Sequence, residues 1–287
     1  MELEDYQFTK QELKYLELLS EKYPTVQSVC TEIINLKAIL NLPKGTEHFM
    51  SDVHGEYEAF YHILNNCSGV IHEKVNIIFG DRLSVEERAE LCTLIYYPEE
   101  RLEIVHDTIK DLESWYKITL NQLIEICKLV ASKYTRSKVR KALPKEFSYI
   151  IDELLHSVEG DINQEAYHSN IMDTIISIHN ADEFIIALAT LIKRLAVDHL
   201  HIVGDIFDRG PRADSIMDML MQHHAVDIQW GNHDILWMGA STGHPACVAT
   251  VVKTSVSHKR LDTLEGGYGI SLRPLTLFAT QTYKNCE

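Results

Sequence analysis

Between Thr9 and Leu40, apolar residues return every three or four positions: Leu13, Leu16 and Leu19, then Val26, Val29, Ile33, Leu36 and Ile39. That spacing lays them along one face of a 3.6-residue helix and predicts amphipathic helices, with Pro24 separating two of them. The rhythm breaks at Glu47-His-Phe-Met-Ser-Asp-Val-His-Gly, a short apolar run closing on polar residues and a glycine, which reads as a buried strand. Helical periodicity resumes from about residue 57 to 195, over Val85 to Cys92, Arg101 to Trp115, Ile118 to Tyr134, Phe147 to His156, Tyr167 to Ile178 and Ala181 to Leu195. Strand signals are scarce in this stretch. After Leu195 the pattern changes again: His199-Leu-His-Ile-Val-Gly-Asp reads as a second strand, Ala213 to Gln222 as a helix, and Val226-Asp-Ile-Gln-Trp-Gly as a third strand with a helix after it. Strand, helix and strand in alternation predict an α/β protein with a parallel or mixed sheet flanked by helices. The tail from Leu261, with Gly266 beside Gly267 and then Pro274, offers no evident closing element.

Each predicted strand ends in hard donors and a glycine: Asp52-Val-His54-Gly, Gly204-Asp205-Ile-Phe-Asp208-Arg209-Gly, and Gly231-Asn232-His233-Asp234. One such cluster alone is ordinary turn chemistry. Three in succession, each at a strand end, match the needs of a two-metal centre, where ions about 4 Å apart share one carboxylate and keep separate ligands on either side. Asp205 suits the bridge, Asp52 and His54 can converge on one ion, and Asn232 offers a carbonyl oxygen to the other. This oxygen and nitrogen shell suits manganese, iron or zinc better than calcium. His233 is the candidate general acid, Asp208 the carboxylate that orients and charges its ring, and Arg209 a clamp for phosphoryl oxygens. The competing structural reading makes Asp205 and Asp208 turn or helix caps, pairs Arg209 with them, and buries His233 as a satisfied histidine.

Composition narrows the partners. Lys and Arg number 27 against 42 for Asp and Glu, a formal net charge of -15 that opposes a polyphosphate such as nucleic acid. A small anionic substrate remains compatible, since a bound metal reverses the local field. The longest apolar runs, such as Phe184 to Leu191, fall short of the roughly 18 residues of a membrane span. The acidic start Met-Glu-Leu-Glu-Asp lacks an apolar signal core, so the expected location is the cytoplasm. Six cysteines lie far apart without a CxxC pair, which predicts reduced structural thiols. The basic stretch Lys133 to Lys141 reads as a solvated helix face, with a regulatory anion or partner site as the alternative.

At these residues the sequence resembles the calcineurin-like metallophosphoesterases, whose pattern runs DxH, GDxxDRG and GNH[DE] before a lone His and a GHxH. The blocks SDVHGEYEAF, GDIFDRGP, QWGNHDILWMGA and LEGGYGISLRPL, with the long helical insertion, resemble the bacterial class 3 fructose-1,6-bisphosphatases over essentially the whole chain. The resemblance implies a calcineurin-like sheet core at residues 45–60 and 196–287, N-terminal helices at 1–44 and a helical insertion at 61–195. It also implies hydrolysis of D-fructose 1,6-bisphosphate to fructose 6-phosphate in gluconeogenesis, with a dinuclear Mn2+ centre. A protein phosphatase or dinucleoside-tetraphosphate hydrolase shares the motifs, but the resemblance to those families places the second motif only a few tens of residues after the first. Family chains are about twice this length, and their last two histidine motifs fall beyond Glu287. His244 and His258 are weak substitutes. The expectation is therefore a fragment or truncated, inactive version with an incomplete core, and the rival reading is a non-catalytic regulatory or assembly module. The oligomeric state, a homo-oligomer included, is left open.

Overall fold

The computed structural model describes residues 7–156 and 162–284. Two compact units emerge, Met1–Lys44 with Lys133–Thr135, and Gly45–Ser132 with Arg136–Glu287. In the first, α1 (Lys10–Lys22) and α2 (Val26–Ile39) flank Pro24. Each begins on a reciprocal cap: Thr9 Oγ1 accepts the Glu12 N–H at 3.2 Å while Glu12 accepts the Thr9 N–H at 2.8 Å, and Thr25 and Ser28 do the same at 3.1 and 3.2 Å. These bonds satisfy amide donors that a helix start otherwise leaves unpaired. Neither helix buries a residue, so the predicted apolar stripe stays accessible.

The second unit opens with β1 (Glu47–Met50), followed by α3 (Tyr57–Asn66), α4 (Val70–Phe79), α5 (Val85–Tyr96), α6 (Pro98–Thr108), α7 (Leu112–Ala131), α8 (Arg136–Ala142), α9 (Ser148–Leu155), α10 (Ile162–Ser177) and α11 (Ala181–Ala196). Where the periodicity predicts a single helix over Arg101 to Trp115, the structure has a break. The Asp111 carboxylate accepts the Ser114 N–H at 3.1 Å and starts α7 afresh, a local cap that hydrophobic spacing does not register. α11 carries the densest core face, with Phe184, Ile185, Leu188, Leu191 and Ile192 fully buried. Asp182 and Glu183 in its first turn and Lys193 and Arg194 in its last complement the helix dipole. The basic stretch enters a helix only at Arg136, the start of α8, where Lys138 pairs with Asp198 at 2.5 Å. Cys67, Cys92 and Cys127 are buried, Cys247 is half-buried and Cys30 exposed, none of them in a disulfide; Cys286 lies outside the described residues.

β2 (His199–Val203), α12 (Ala213–Gln222) and β3 (Val226–Gln229) complete a three-stranded sheet in the order β1-β2-β3, both pairs parallel, with Phe49 opposite His201 and His201 opposite Asp227. The three predicted strands are therefore present, and the chain is α/β. Parallel pairing requires crossovers, supplied by α12 for the second pair and by the whole helical segment for the first. One sheet face buries Leu200 and Ile202 against Val53, Phe60, Ile216 and Leu220, each side chain contributing about 1.5–3 kcal/mol. The opposite face leaves Phe49 and Val203 exposed. The tail departs from expectation: after α13 (Asn232–Ser241) come α14 (Pro245–Ser257), a π-helical turn at Thr263–Gly267 and α15 (Arg273–Thr282). Gly266 and Gly267 lie inside that turn, and Pro274 occupies the first turn of α15, where its missing N–H costs nothing. Among the described residues no single helix is long and apolar enough to cross a membrane.

His223, which caps α12, has its pKa pushed down to about 4 by burial and by the neighbouring His224. The unfolded chain therefore takes up a proton between pH 6.5 and 4 that the folded chain refuses, so stability is fully present above pH 6.5 and falls through that window. The urea midpoint is expected to drop from pH 7 to pH 4.5, and to drop less in His223→Gln. Equal slopes in the two proteins would show the ring to be solvated in the folded state.

Candidate metal centre

The loops after the three strands meet at the carboxyl edge of the sheet, the position at which open α/β sheets bind ligands. They are tied by backbone bonds: Asp52 N–H to Gly204 C=O at 3.3 Å, His54 N–H to Asp205 C=O at 2.8 Å, Gly55 N–H to Ile206 C=O at 2.8 Å, and Gly210 N–H to His54 C=O at 2.7 Å. Asp52, His54, Asp205, Asp208 and Arg209 all take positive φ, between 46° and 73°. Such left-handed backbone costs a side-chain-bearing residue of order 1–3 kcal/mol and persists only where its surroundings hold it.

Asp234 supplies much of that hold. Its buried carboxylate accepts the N–H groups of Asp205 at 2.7 Å, Ile206 at 2.9 Å, Phe207 at 3.1 Å and Gly231 at 2.7 Å. The loops also approach through glycine: Gly204 has φ +83°, and a Cβ there would lie 2.7 Å from the Gly231 nitrogen.

Within this frame Asp52, His54 and Asp205 each present one ligand atom, all within 4.8 Å of one another. The donors fit a divalent ion. Phe207 C=O can only accept, so the 3.2 Å contact assigns the proton of a neutral His54 to Nδ1 and leaves the Nε2 lone pair facing Asp52 Oδ1 at 3.7 Å. Asn232 is exposed as the first residue of α13, next to His233, whose backbone N–H donates to Asp205 Oδ1 at 3.2 Å. Neither His244 nor His258 joins a group of three donors among the described residues.

His233 stands edge-on to His54, ring centroids 5.3 Å apart. Its Nδ1 donates to Asp208 Oδ2 at 2.8 Å, and Asp208, with its side chain 1% exposed, spends its other oxygen on the Trp237 indole N–H at 2.8 Å. The imidazole is thereby oriented, and Nε2 is the nitrogen left to exchange a proton. Arg209 is exposed on the same turn and makes no ion pair among the described residues. Beneath the loops lies an apolar cavity of about 620 Å³ bordered by Phe207, Trp230, Trp237 and Tyr268, with no Lys or Arg in its lining among the described residues.

Sequence reasoning assigned no role to Asp234 or Trp237. Trp237 follows His233 by four residues, one helical turn, so its placement on the same face was available from spacing. Asp234 acts on the backbone of a loop about 28 residues away, which no local pattern encodes.

Fold and centre together define an α/β protein that gathers carboxylates and imidazoles at the carboxyl ends of parallel strands. The chain belongs to the Firmicute fructose-1,6-bisphosphatase family, whose model matches residues 14–287. It is 62% identical over 276 residues to the class 3 fructose-1,6-bisphosphatase of Clostridium acetobutylicum, covering 96% of this chain and 42% of that protein. It is 60% identical over 272 residues to that of Bacteroides thetaiotaomicron, covering 95% and 41%. The chain thus spans about two fifths of the length of the curated relatives it matches. No solved structure matches it.

Asp234→Ala strips the charge from four amide donors, three of them within the strained loop. Stability is expected to fall by at least about 3 kcal/mol in urea denaturation. A loss under about 1 kcal/mol would show that the cross-loop backbone bonds suffice.

Proposed function

We propose that this chain carries the metal-binding and proton-transfer part of a metallophosphoesterase that hydrolyses the 1-phosphate of D-fructose 1,6-bisphosphate. The observation that carries the reading is the convergence of Asp52, His54 and Asp205 beside an oriented His233–Asp208 pair. The sugar enters from the names of the relatives, and a place in gluconeogenesis and action in the cytoplasm are part of the same proposal. Asp52 and His54 would hold one manganese ion, Asp205 would bridge to a second, and Asn232 would turn its carbonyl oxygen to that second ion. Bound manganese supplies Lewis acidity toward the phosphoryl group and lowers the pKa of water.

The chain's own groups do the rest. Arg209, exposed and unpaired, grips phosphoryl oxygens. Water adds to phosphorus as the bond to the C1 oxygen breaks, and His233 Nε2 donates a proton to the departing alkoxide. Asp208 stabilises the ring while it is charged, and Trp237 keeps Asp208 from rotating away. Among the described residues the apolar cavity has no cation for the second phosphate, and the second ion would have few ligands. Both deficits support further groups in the additional length that the relatives carry.

Manganese uptake by this chain, followed by calorimetry, is expected to vanish in Asp205→Asn. A chimera that continues this chain with the remaining residues of the Clostridium acetobutylicum relative is expected to release phosphate from fructose 1,6-bisphosphate. His233→Gln in that chimera should lower the rate about 10²–10⁴-fold. Unchanged metal uptake would overturn the centre, and an unchanged rate would overturn the acid role of His233.

A further inference from the structure

A second set of ligands lies away from the strand ends, on the open face of the sheet. His199 and His201 alternate along β2 and therefore share that face, and Asp227 sits opposite His201 on β3. His199 Nε2 is 2.9 Å from Asp227 Oδ2, and His201 Nδ1 is 3.4 Å from the same oxygen. All three side chains offer donor atoms within 4.8 Å of one another.

These spacings suit one ion between the three atoms. Ligands held about 2.1 Å from a metal lie about 3.0 Å apart at a right angle and about 3.4 Å apart at the tetrahedral angle. A hydrogen bond explains the short contact poorly: His199 Nε2 is a buried atom that makes no hydrogen bond despite its distance to the carboxylate. Phe49, His201 and His199 form a continuous ring stack, with centroids 4.5 Å apart at each step, which limits ring rotation before any ion arrives. The backbone beneath is paired strand, a more rigid support than a loop. Asp227 has 66% of its side chain exposed, so an ion can enter and water can complete its shell.

We propose that His199, His201 and Asp227 form a second divalent-cation site, selective for zinc-class ions. Two imidazoles and one carboxylate suit zinc, nickel or copper over magnesium or calcium. The site is independent of the phosphatase reading, since none of its residues takes part in that chemistry.

Zinc titration by calorimetry in the Asp205→Asn protein tests it, because that background disables the strand-end centre. One equivalent of zinc is expected there. Adding His201→Phe, which keeps a ring in the stack, or Asp227→Asn, on the exposed strand, should weaken that equivalent at least tenfold while far-ultraviolet circular dichroism stays unchanged. Cobalt in place of zinc should give visible absorption that the same two variants abolish. Absence of zinc binding in the Asp205→Asn protein, or the same stoichiometry and affinity in all three proteins, would overturn the site and leave only a surface histidine and aspartate ion pair.

Discussion

The buried carboxylate of Asp234 is the interaction on which the strand-end centre rests. Four amide hydrogens from two separate loops point at it, and three belong to the consecutive residues Asp205, Ile206 and Phe207. Consecutive N–H groups aimed at one point make an anion-binding concavity. Here the anion is built into the protein, and filling the concavity fixes the φ/ψ of the segment that carries Asp205 and Asp208. The carboxylate gathered by these donors is charged and desolvated, so its bonds are stronger than neutral ones. That strength helps hold Asp205, Asp208 and Arg209 in left-handed conformations, while the backbone bonds from Asp52 and His54 to Gly204 and Asp205 tie the first loop, with its own two left-handed residues, to that segment. Strain and carboxylate are two sides of one arrangement: the backbone turns outward to present Asp52, His54 and Asp205, and Asp234 holds it there.

Where sequence reading succeeded, the signal was local. A short apolar run ending in glycine and polar residues marks a strand end, and all three strands lie where such runs occur. The convergence of Asp52, His54 and Asp205 followed from placing those ends side by side in a parallel sheet. Where reading failed, the decisive contact joined distant segments or replaced an expected pattern. The break before α7 depends on a single aspartate cap. The π turn at Thr263–Gly267 hides in a glycine pair that otherwise signals a loop. Asp234 looks like one more donor in a metal motif, and only the fold turns it toward the backbone of the preceding strand's loop.

The two faces of the sheet differ in a way that composition cannot express. Parallel strands are normally covered on both sides, and Leu200 and Ile202 meet that expectation against α12 and α3. The residues that alternate with them, His199, His201 and Val203, face outward together with Phe49 and Asp227. Alternation along β2 separates an aliphatic face that stabilises the fold from an imidazole face with ligating capacity. A one-residue register shift would exchange the two, so the aliphatic packing that fixes the register also fixes where the imidazoles point.

The long helical segment between β1 and β2 bears on the centre through geometry. Bringing Met50 beside Ile202 closes a loop of about 150 residues, which for a flexible chain costs roughly 4 kcal/mol beyond a constant. A folded insertion avoids most of that cost at the moment of pairing, because its own core already holds the two ends near each other. α11 is the element that transmits this: it packs on α4, α5, α6 and α7, and three residues after its last turn the chain enters β2. Packing of Phe184, Leu188 and Ile192 therefore sets the position of the strand that carries Asp205. The helical segment, whose described residues contribute no ligand to the strand-end centre, determines whether the ligands from its two ends meet.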